Sequence, residues 1–222
     1  MNQKVKKTEL ETIFVFGAHT DDFVIGAGGT LAKYVQEGKK VISIVFSLGE
    51  LSHPWIKDHV IKSIRSKETL DAGEIMGCET FFLNLRDQKI SEDYLKNNTE
   101  DKLLALLIKH QPTKIFTHSI EDPHPDHKTV HKITLELYDK LNFEPKPEVY
   151  VYSVWNPVSF KTGWPSLYVN ITNTFSIKLQ ALKTFRSQKI HVAYPFILLL
   201  FRAFLQGIKI RTWFGERFYR VK

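Results

Sequence analysis

The chain lacks features that define several classes of protein. Its 222 residues include one cysteine, Cys78, so it can form neither an intramolecular disulfide nor a zinc site built from several cysteines. Its longest apolar run covers residues 196–201 and ends at Arg202, whereas a membrane-spanning helix needs about 20 apolar residues. Residues 1–10 are polar and basic, so we expect no secretory signal. The single cysteine, the lack of a long apolar run and the polar N-terminal residues together predict a cytoplasmic protein in a reducing compartment.

Acidic residues are also fewer than basic ones. The 31 Lys and Arg residues exceed the 24 Asp and Glu residues, which gives a formal net charge of +7. Such a surplus can favour nucleic acid, a phosphorylated substrate or a membrane surface, or it can be only a soluble basic surface. The basic residues cluster only near the two ends of the chain, and no nucleic-acid-binding motif accompanies them. We therefore expect no nucleic-acid partner.

Short apolar segments alternate with segments of helical spacing. The predicted strands are 12–17, 40–46, 80–85, 114–118, 148–155 and 167–171. The predicted helices are 30–37, 61–76, 101–110, 127–141 and 177–188. This alternation predicts an α/β fold, a Rossmann-like three-layer sandwich with a mostly parallel sheet. The length predicts a single domain over 1–222, with a core of about 10–190 and an apolar and basic extension over 191–222.

Polar and ionisable side chains follow four consecutive predicted strands. They occur in segments 18–22, 47–50, 84–87 and 118–127. Open parallel sheets bind their ligands at the carboxyl ends of the strands. The sequence therefore predicts one functional site at this edge of the sheet.

Two of these segments, 19–22 and 124–127, contain the side chains that suit a metal ion. Imidazole nitrogens and carboxylate oxygens are the ligands that Zn²⁺ takes when cysteine is absent, and three of them plus a water form the catalytic pattern. Of two adjacent aspartates, one can bind the metal while the other accepts a proton from water. A structural reading of each segment alone stays open, because an aspartate after a strand is often a helix N-cap.

The same segments resemble the signature of the LmbE-like, or PIG-L, deacetylase superfamily. Residues 17–30 (GAHTDDFVIGAGGT) resemble its AHPDDE…GGT motif, and residues 124–127 (HPDH) match its HPDH motif in full. Further similar segments are 64–68 (IRSKE), 84–87 (NLRD), 171–172, 181–182 and 187–188. The resemblance covers about residues 10–190.

The resemblance implies a reaction and a cofactor. Members of this superfamily remove an acetyl group from an N-acetylated amino sugar, usually N-acetylglucosamine in a conjugate, and they use zinc. By the family pattern, His19, Asp22 and His127 are the metal ligands, although His and Asp sites accept other divalent metals as well. The implied partner is a small-molecule or lipid-linked amino-sugar substrate.

The resemblance also implies roles for five further residues. Asp21 corresponds to the general base, and His124 to the protonated group that stabilises the oxyanion and helps the amine leave. Asp126 corresponds to a carboxylate that orients a histidine of the site. Arg65 and Asp87 correspond to substrate-contacting residues, although a surface salt bridge on its own helix is an alternative for Arg65.

Two residues depart from the family pattern. Thr20 replaces the usual proline, and Phe23 replaces the usual glutamate. We expect Phe23 to place an apolar ring at the edge of the pocket and to change substrate specificity more than hydrolysis. Two alternatives therefore stay open, a metal-dependent amidase that acts on another N-acyl substrate and a non-catalytic homologue that binds a glycan or a lipid.

The C-terminal region is explained least by the resemblance. Residues 194–205 are nearly all apolar, and the end 209–222 is basic. A buried helix or a subunit interface would explain the apolar segment. The alternative is peripheral contact with a membrane surface or with a lipid-linked substrate. The sequence leaves the oligomeric state open.

Overall fold

The computed structural model of the protein describes residues 10–53, 55–155, 163–188 and 196–222. The strands are β1 (Thr12–Gly17), β2 (Lys40–Ser47), β3 (Glu79–Leu85), β4 (Lys114–His118), β5 (Glu148–Tyr152), β6 (Ser166–Asn170) and β7 (Gly215–Arg220). The helices are α1 (Asp22–Gln36), α2 (Asp58–Met76), α3 (Ile90–Lys96), α4 (Thr99–His110), α5 (Pro125–Lys140), α6 (Phe175–Leu182) and α7 (Phe196–Lys209). A short 3₁₀ turn covers Glu50–Ser52.

The strands form one sheet in the order β3-β2-β1-β4-β5-β7-β6. Strands β1 to β5 are parallel, and β7 runs antiparallel to both of its neighbours. The chain leaves β1 towards β2 and β3 on one side, and it continues from β4 to β5 on the other. A reversal of strand order leaves a crevice at the carboxyl ends of the two central strands, where ligands bind in such folds. The predicted α/β fold with a mostly parallel sheet is confirmed.

Strand β1 shows why the sheet is buried on both faces. All six of its residues are buried, and alternate side chains point to opposite faces. Ile13 and Val15 belong to the core under α1, α2, α6 and α7. Phe14 and Phe16 belong to the core on the other face, under α3, α4 and α5. The two apolar layers fix β1 at the centre, so the residues that follow it enter the crevice.

Helix α1 begins at Asp22, eight residues before the predicted start. Three glycines lie in its first half, and glycine normally weakens a helix interior. Close packing on the sheet explains them, because a Cβ atom on Gly26 would lie 2.1 Å from the ring of Tyr152. The preceding Phe23 is fully buried in the core. The expectation that Phe23 lines the pocket edge was therefore wrong.

Several other boundaries also differ from the predictions. The predicted strand 148–155 ends at Tyr152, the predicted helix 177–188 ends at Leu182, and α3 was not predicted. Residues 194 and 195 of the apolar C-terminal segment lie outside the described residues, and the rest of that segment belongs to α7. In the part of the chain that the structure describes, no helix is long and apolar enough to cross a membrane.

The basic C-terminal end contains β7, a strand that the sequence analysis did not predict. Its Glu216 is buried, and its carboxylate accepts hydrogen bonds from the backbone N–H groups of Gly29 and Thr30 at 3.2 and 2.8 Å. Lys178 of α6 donates to the same carboxylate at 2.6 Å. Residues 215–220 are therefore tied to α1 and α6 and belong to the sheet. The proposed division of the chain near residue 190 stays a prediction.

Candidate active site

An open cleft of about 290 Å³ lies at the carboxyl ends of the strands. Six of the predicted site residues line it: His19, Asp21, Asp22, Arg65, Asp87 and His124. The other two, Asp126 and His127, are buried beside it. The structure thus brings all eight predicted residues to one place.

His127 is held between two carboxylates. Its Nδ1 atom lies 2.9 Å from Oδ1 of Asp122, and its Nε2 atom lies 3.3 Å from Oδ2 of Asp22. Burial disfavours the charged ring, but the two carboxylates outweigh it and raise the pKa of His127 to about 9. Both ring nitrogens are buried, and neither makes a hydrogen bond of good geometry to a described residue. With a pKa of about 9 the metal-free ring is protonated at neutral pH, so a metal at Nε2 would displace the proton there while Nδ1 keeps the proton that faces Asp122.

His19 has a similar arrangement with its two ring nitrogens exchanged. Its Nε2 atom lies 3.2 Å from Oδ1 of Asp87 and 3.4 Å from Oδ2 of Asp126. Its Nδ1 atom lies 3.4 Å from Oδ2 of Asp22. Burial lowers the pKa of His19, but contacts with Asp126, Asp22 and Asp87 raise it well above its usual value. The metal-free ring is therefore protonated, and a metal at Nδ1 would displace the proton there while Nε2 keeps the proton that faces Asp87 and Asp126.

Asp22 stands at the start of α1 and is the point where these contacts meet. Its Oδ2 atom accepts the backbone N–H of His19 at 2.7 Å. Burial would raise the pKa of Asp22, but the rings of His127 and His118 hold it well below its usual value. The carboxylate is therefore ionised, as a metal ligand must be.

His118, the last residue of β4, is a further buried histidine of the site, and the sequence analysis gave it no role. Its Nε2 atom accepts the backbone N–H of Ala18 at 2.9 Å and lies 3.3 Å from Oδ2 of Asp22. Burial and the neighbouring His127 lower the pKa of His118 to about 4, so the ring is neutral. Because the Nε2 lone pair is already used by Ala18, His118 is a positioning residue and a poor candidate for a ligand.

Two of the three pairs of donor atoms have a spacing that suits a small divalent metal. Nδ1 of His19 and Nε2 of His127 each lie 3.3–3.4 Å from Oδ2 of Asp22. In a tetrahedral site with ligand distances of about 2.0–2.1 Å, neighbouring donor atoms lie about 3.3–3.4 Å apart. Buried carboxylates on the remote ring nitrogens are the usual companions of histidine ligands. Among the described residues, three groups have ligand atoms that all lie within 4.8 Å of one another: His19/His124/His127, Asp22/His118/His127 and His19/Asp87/Asp126. This cluster could therefore hold Zn²⁺ or a similar ion, and the ligand set His19, Asp22 and His127 stays a prediction.

Asp21 lies at the cleft, next to this ligand set. Burial and the negative charge of Asp22 raise the pKa of Asp21, while Arg65 and His19 oppose that rise. A carboxylate with a raised pKa is a stronger base than an exposed one. Asp21 thus has the position and the electrostatic environment of a proton acceptor.

His124 lies on the other side of the cleft, at the N-cap of α5. Its Nδ1 atom accepts the backbone N–H of Asp126 at 3.2 Å, so the neutral ring carries its proton on Nε2. Its ring centroid lies 4.8 Å from that of His19 and 4.7 Å from that of His127. Nε2–H is consequently the group of His124 that can donate a hydrogen bond.

Asp126 and Asp87 both contact the ring of His19, but their other contacts differ. Oδ2 of Asp126 accepts the backbone N–H of Gln88 at 2.9 Å while it faces His19. Asp87 also contacts His19, and its backbone N–H donates to Glu50 at 3.2 Å. Asp126 therefore orients His19, and Asp87 combines that contact with a place in the cleft wall.

Arg65 is buried and holds two loops together. Its Nε and Nη2 atoms donate to the hydroxyl of Thr20 at 3.1 and 2.8 Å, and Nη1 donates to the carbonyl of Gly49 at 2.7 Å. Glu68 instead accepts hydrogen bonds from the backbone and hydroxyl of Ser187. The alternative of a surface salt bridge on α2 was therefore wrong. The hydroxyl of Thr20 accepts two of these hydrogen bonds. The proline that is usual at this position in the family has no hydroxyl and could not accept them.

Asp122 is the second residue that the sequence analysis left without a role. It stands in the loop after β4, two residues before His124, and no motif of its own distinguishes it from a loop aspartate. Its contacts become visible only in the structure. Its carboxylate lies 2.9 Å from the ring of His127 and accepts hydrogen bonds from the backbone N–H groups of Val154 and Trp155. The signal available in sequence was its position after a strand.

Comparisons with known proteins show which proteins this chain resembles. The chain is 27% identical over 183 residues to the probable N-acetyl-alpha-D-glucosaminyl L-malate deacetylase 2 of Bacillus cereus, with 79% of this chain and 83% of that protein covered. It is 25% identical over 206 residues to the 4-oxalmesaconate hydratase of Pseudomonas putida, with 85% and 78% covered. The solved N,N'-diacetylchitobiose deacetylase of Pyrococcus horikoshii matches 95% of this chain and 84% of its own, with a TM-score of 0.79 and 25% identity.

A family match covers the part of the chain that builds most of the site. Residues 14–138, more than half of the 222, match the family described as PIG-L: GlcNAc-PI de-N-acetylase. That segment contains all eight predicted site residues as well as His118 and Asp122. The resemblance noted in the sequence is thereby confirmed, and the chain belongs to the PIG-L family of deacetylases.

Proposed function

We propose that this protein is a metal-dependent hydrolase that removes the acetyl group from an N-acetylated amino sugar of the N-acetylglucosamine type. One observation carries the proposal: Nδ1 of His19 and Nε2 of His127 converge on the ionised carboxylate of Asp22 beside an open cleft. Asp21 and His124 flank that point with a proton acceptor and a proton donor. The family match and the names of the deacetylase relatives support the same reaction class.

The proposed ligands are His19, Asp22 and His127, and Zn²⁺ is the proposed metal. When bound, such an ion supplies a Lewis acid that polarises an acyl carbonyl and lowers the pKa of water to near neutrality. Asp122 and Asp126 keep the two imidazoles in the tautomers that direct their lone pairs inwards.

The side chains then divide the proton transfers between them. Asp21 takes a proton from the attacking water as its oxygen bonds to the acyl carbon. His124 donates a hydrogen bond from Nε2 to the developing oxyanion. The carbon–nitrogen bond then breaks, and the amine nitrogen receives the proton that Asp21 took from the water, which leaves Asp21 ionised again. The products are acetate and the free amino sugar.

Arg65 and Asp87 are the proposed contacts for the polar groups of the sugar. Both line the cleft. Most donors of Arg65 are used on Thr20, Gly49 and Ser52, but one N–H of Nη2 has no hydrogen bond to a described residue. Asp87 is paired with His19, so its contact with a sugar hydroxyl would be made from the same carboxylate.

A hydratase among the relatives means that family membership alone does not define the reaction. An amidase acting on another N-acyl group and a non-catalytic glycan- or lipid-binding homologue also stay open as alternatives. A test must therefore measure the products of amide hydrolysis directly. Binding of a metal or of a sugar would not be sufficient.

The test is acetate release from a panel of N-acetylglucosamine conjugates, with metal-stripped protein assayed with and without added Zn²⁺. The expected result is equal amounts of acetate and free amine from at least one conjugate, only when metal is present. An absence of both products from the whole panel, with metal shown to be bound, would contradict the proposal. Release of a different acid from other N-acyl amines would support the amidase alternative instead.

A further inference from the structure

The charge of the chain is distributed very unevenly. Between Glu148 and Glu216 there is no Asp or Glu, whereas the same stretch contains eight Lys and Arg residues. The eight are Lys161, Lys178, Lys183, Arg186, Lys189, Arg202, Lys209 and Arg211. The stretch carries a charge of +8, and the remaining residues sum to −1. Lys178 is buried and paired with Glu216, so the exposed basic residues of the stretch are what could favour an anionic surface.

Helix α7 lies in this acid-free stretch and is apolar on two faces. Its inner face packs on the core through Leu199 and Ala203. Its outer face exposes Ile197, Phe201, Phe204, Leu205 and Ile208, which lie within about one third of the helix circumference. Ile197 is 79% exposed, Phe201 56% and Ile208 54%. A contiguous exposed apolar strip of this kind marks an interaction surface.

Polar and aromatic groups at the end of α7 suit a boundary between water and lipid. Lys209 and Arg211 are exposed at the C-terminal end of the helix, and Trp213 beyond them is 69% exposed. Lys and Arg can extend their charged groups to water while their stems contact apolar material. Tryptophan is enriched at membrane surfaces for a similar reason.

The helix also lies next to the cleft. Arg202 donates a hydrogen bond from Nη1 to the carbonyl of Ser153 at 3.0 Å. Two residues further on, Trp155 lines the cleft and is partly exposed. A surface that covers α7 would consequently come close to the opening through which substrate enters.

We propose that the outer face of α7, with the exposed Lys209 and Arg211 at its end, binds the surface of a membrane that contains anionic lipids. With 14 residues, α7 is too short to span a bilayer, so it would lie in the interfacial plane with its apolar strip in the acyl boundary. A second copy of the chain is a poorer occupant, because two faces surrounded by the same positive charge repel each other. This inference does not depend on the proposed reaction.

The test is co-sedimentation of the untagged full chain with vesicles. We expect strong binding to phosphatidylcholine vesicles that contain phosphatidylglycerol, weak binding to phosphatidylcholine alone, and a decrease as salt is raised. The double variant Phe201→Glu/Ile208→Glu should bind vesicles at least about tenfold more weakly. It replaces two apolar side chains that would enter the lipid with two negative charges. No substrate is present, so failure here leaves the deacetylase proposal untouched.

The matched control is Leu95→Glu, which replaces a leucine 74% exposed on α3 and away from the acid-free stretch. It should bind vesicles like the original chain, and circular dichroism should show that both variants are folded. Three results would overturn the inference. They are no binding to anionic vesicles at low salt, binding that Phe201→Glu/Ile208→Glu leaves unchanged, and a dimer without vesicle binding that this variant converts to a monomer.

Discussion

Nδ1 of His127 lies 2.9 Å from Oδ1 of Asp122, and both side chains are fully buried. The other oxygen of Asp122 accepts the backbone N–H groups of Val154 and Trp155 at 3.2 and 3.1 Å. One carboxylate therefore connects a proposed metal ligand at the start of α5 with the segment that follows β5. Because it fixes the proton on Nδ1, it also fixes the direction of the Nε2 lone pair.

The variant Asp122→Asn tests this relationship. An amide can still bond the backbone, but it removes the negative charge that favours a proton on Nδ1 of His127. We expect a loss of about 10–100-fold in Zn²⁺ affinity, as for other carboxylates behind histidine ligands. Competition with a chromophoric chelator measures it. Unchanged affinity would mean that Asp122 has only a structural role.

Thr20→Val tests the contact between Thr20 and Arg65. Valine has nearly the same shape but gives Nε and Nη2 of Arg65 no acceptor, so buried donors lose their partners. The free energy of unfolding should fall by about 1–3 kcal/mol. If Arg65 also contacts the sugar, KM should rise while the metal is retained.

Thr20→Ser is the matched control, because it keeps the hydroxyl and removes only a methyl group. Chemical denaturation and steady-state kinetics should place it close to the original chain. If valine and serine at this position behaved alike, the hydrogen bonds to Arg65 would not be the reason for the effect.

Gly26→Ala tests the packing that lets α1 approach the sheet. The added Cβ would lie 2.1 Å from Cδ2 of Tyr152, whose hydroxyl bonds the carbonyl of Phe16 at 2.7 Å. The free energy of unfolding should decrease by about 1–3 kcal/mol because the ring must move. Gly163→Ala, where no described residue lies within 4 Å of the added Cβ, should change it by no more than about 0.5 kcal/mol. Equal effects of the two variants would contradict this account.

The pair Arg86 and Asp93 predicts a pH dependence of stability. Asp93 accepts hydrogen bonds from the side chain and the backbone of Arg86, and these contacts lower its pKa to about 2 from 3.8. A lowered folded-state pKa contributes stability above the unfolded value, and that contribution is lost as pH falls through the folded value. Urea unfolding should show Asp93→Asn less stable than the original chain at neutral pH, with the difference vanishing as pH falls from about 4 to about 2. A difference that does not depend on pH would exclude this charge effect.

The sequence predicted much of the fold because local patterns and burial agree there. Strand β1 contains a short apolar run and β4 is a short buried segment, and the structure gives both strands the predicted bounds. The sequence was less informative where contacts between distant residues determine the secondary structure. Three of the six residues of β7 are charged, and its pairing partners β5 and β6 lie dozens of residues away. The early start of α1 depends on the fit between Gly26 and Tyr152, which no local propensity contains.

The candidate site shows the same division. The turn with Asp21 and Asp22 and the motif at His124 and His127 were recognisable because the chemistry occupies consecutive residues. Asp122 and His118 were not assigned, since each acts through a contact made only after folding. Phe23 was misplaced for a related reason, because a helix that begins at Asp22 turns it into the core.

The central claim is tested most directly by titrating Zn²⁺ into metal-stripped protein while acetate release is measured, for the original chain and for Asp21→Asn. We predict that activity of the original chain rises with added metal and reaches a plateau at one equivalent. Asp21→Asn should bind the same amount of metal but turn over about 10²–10⁴-fold more slowly, because the water proton has no acceptor. Acetate release without metal, or an unchanged kcat in Asp21→Asn, would contradict the account.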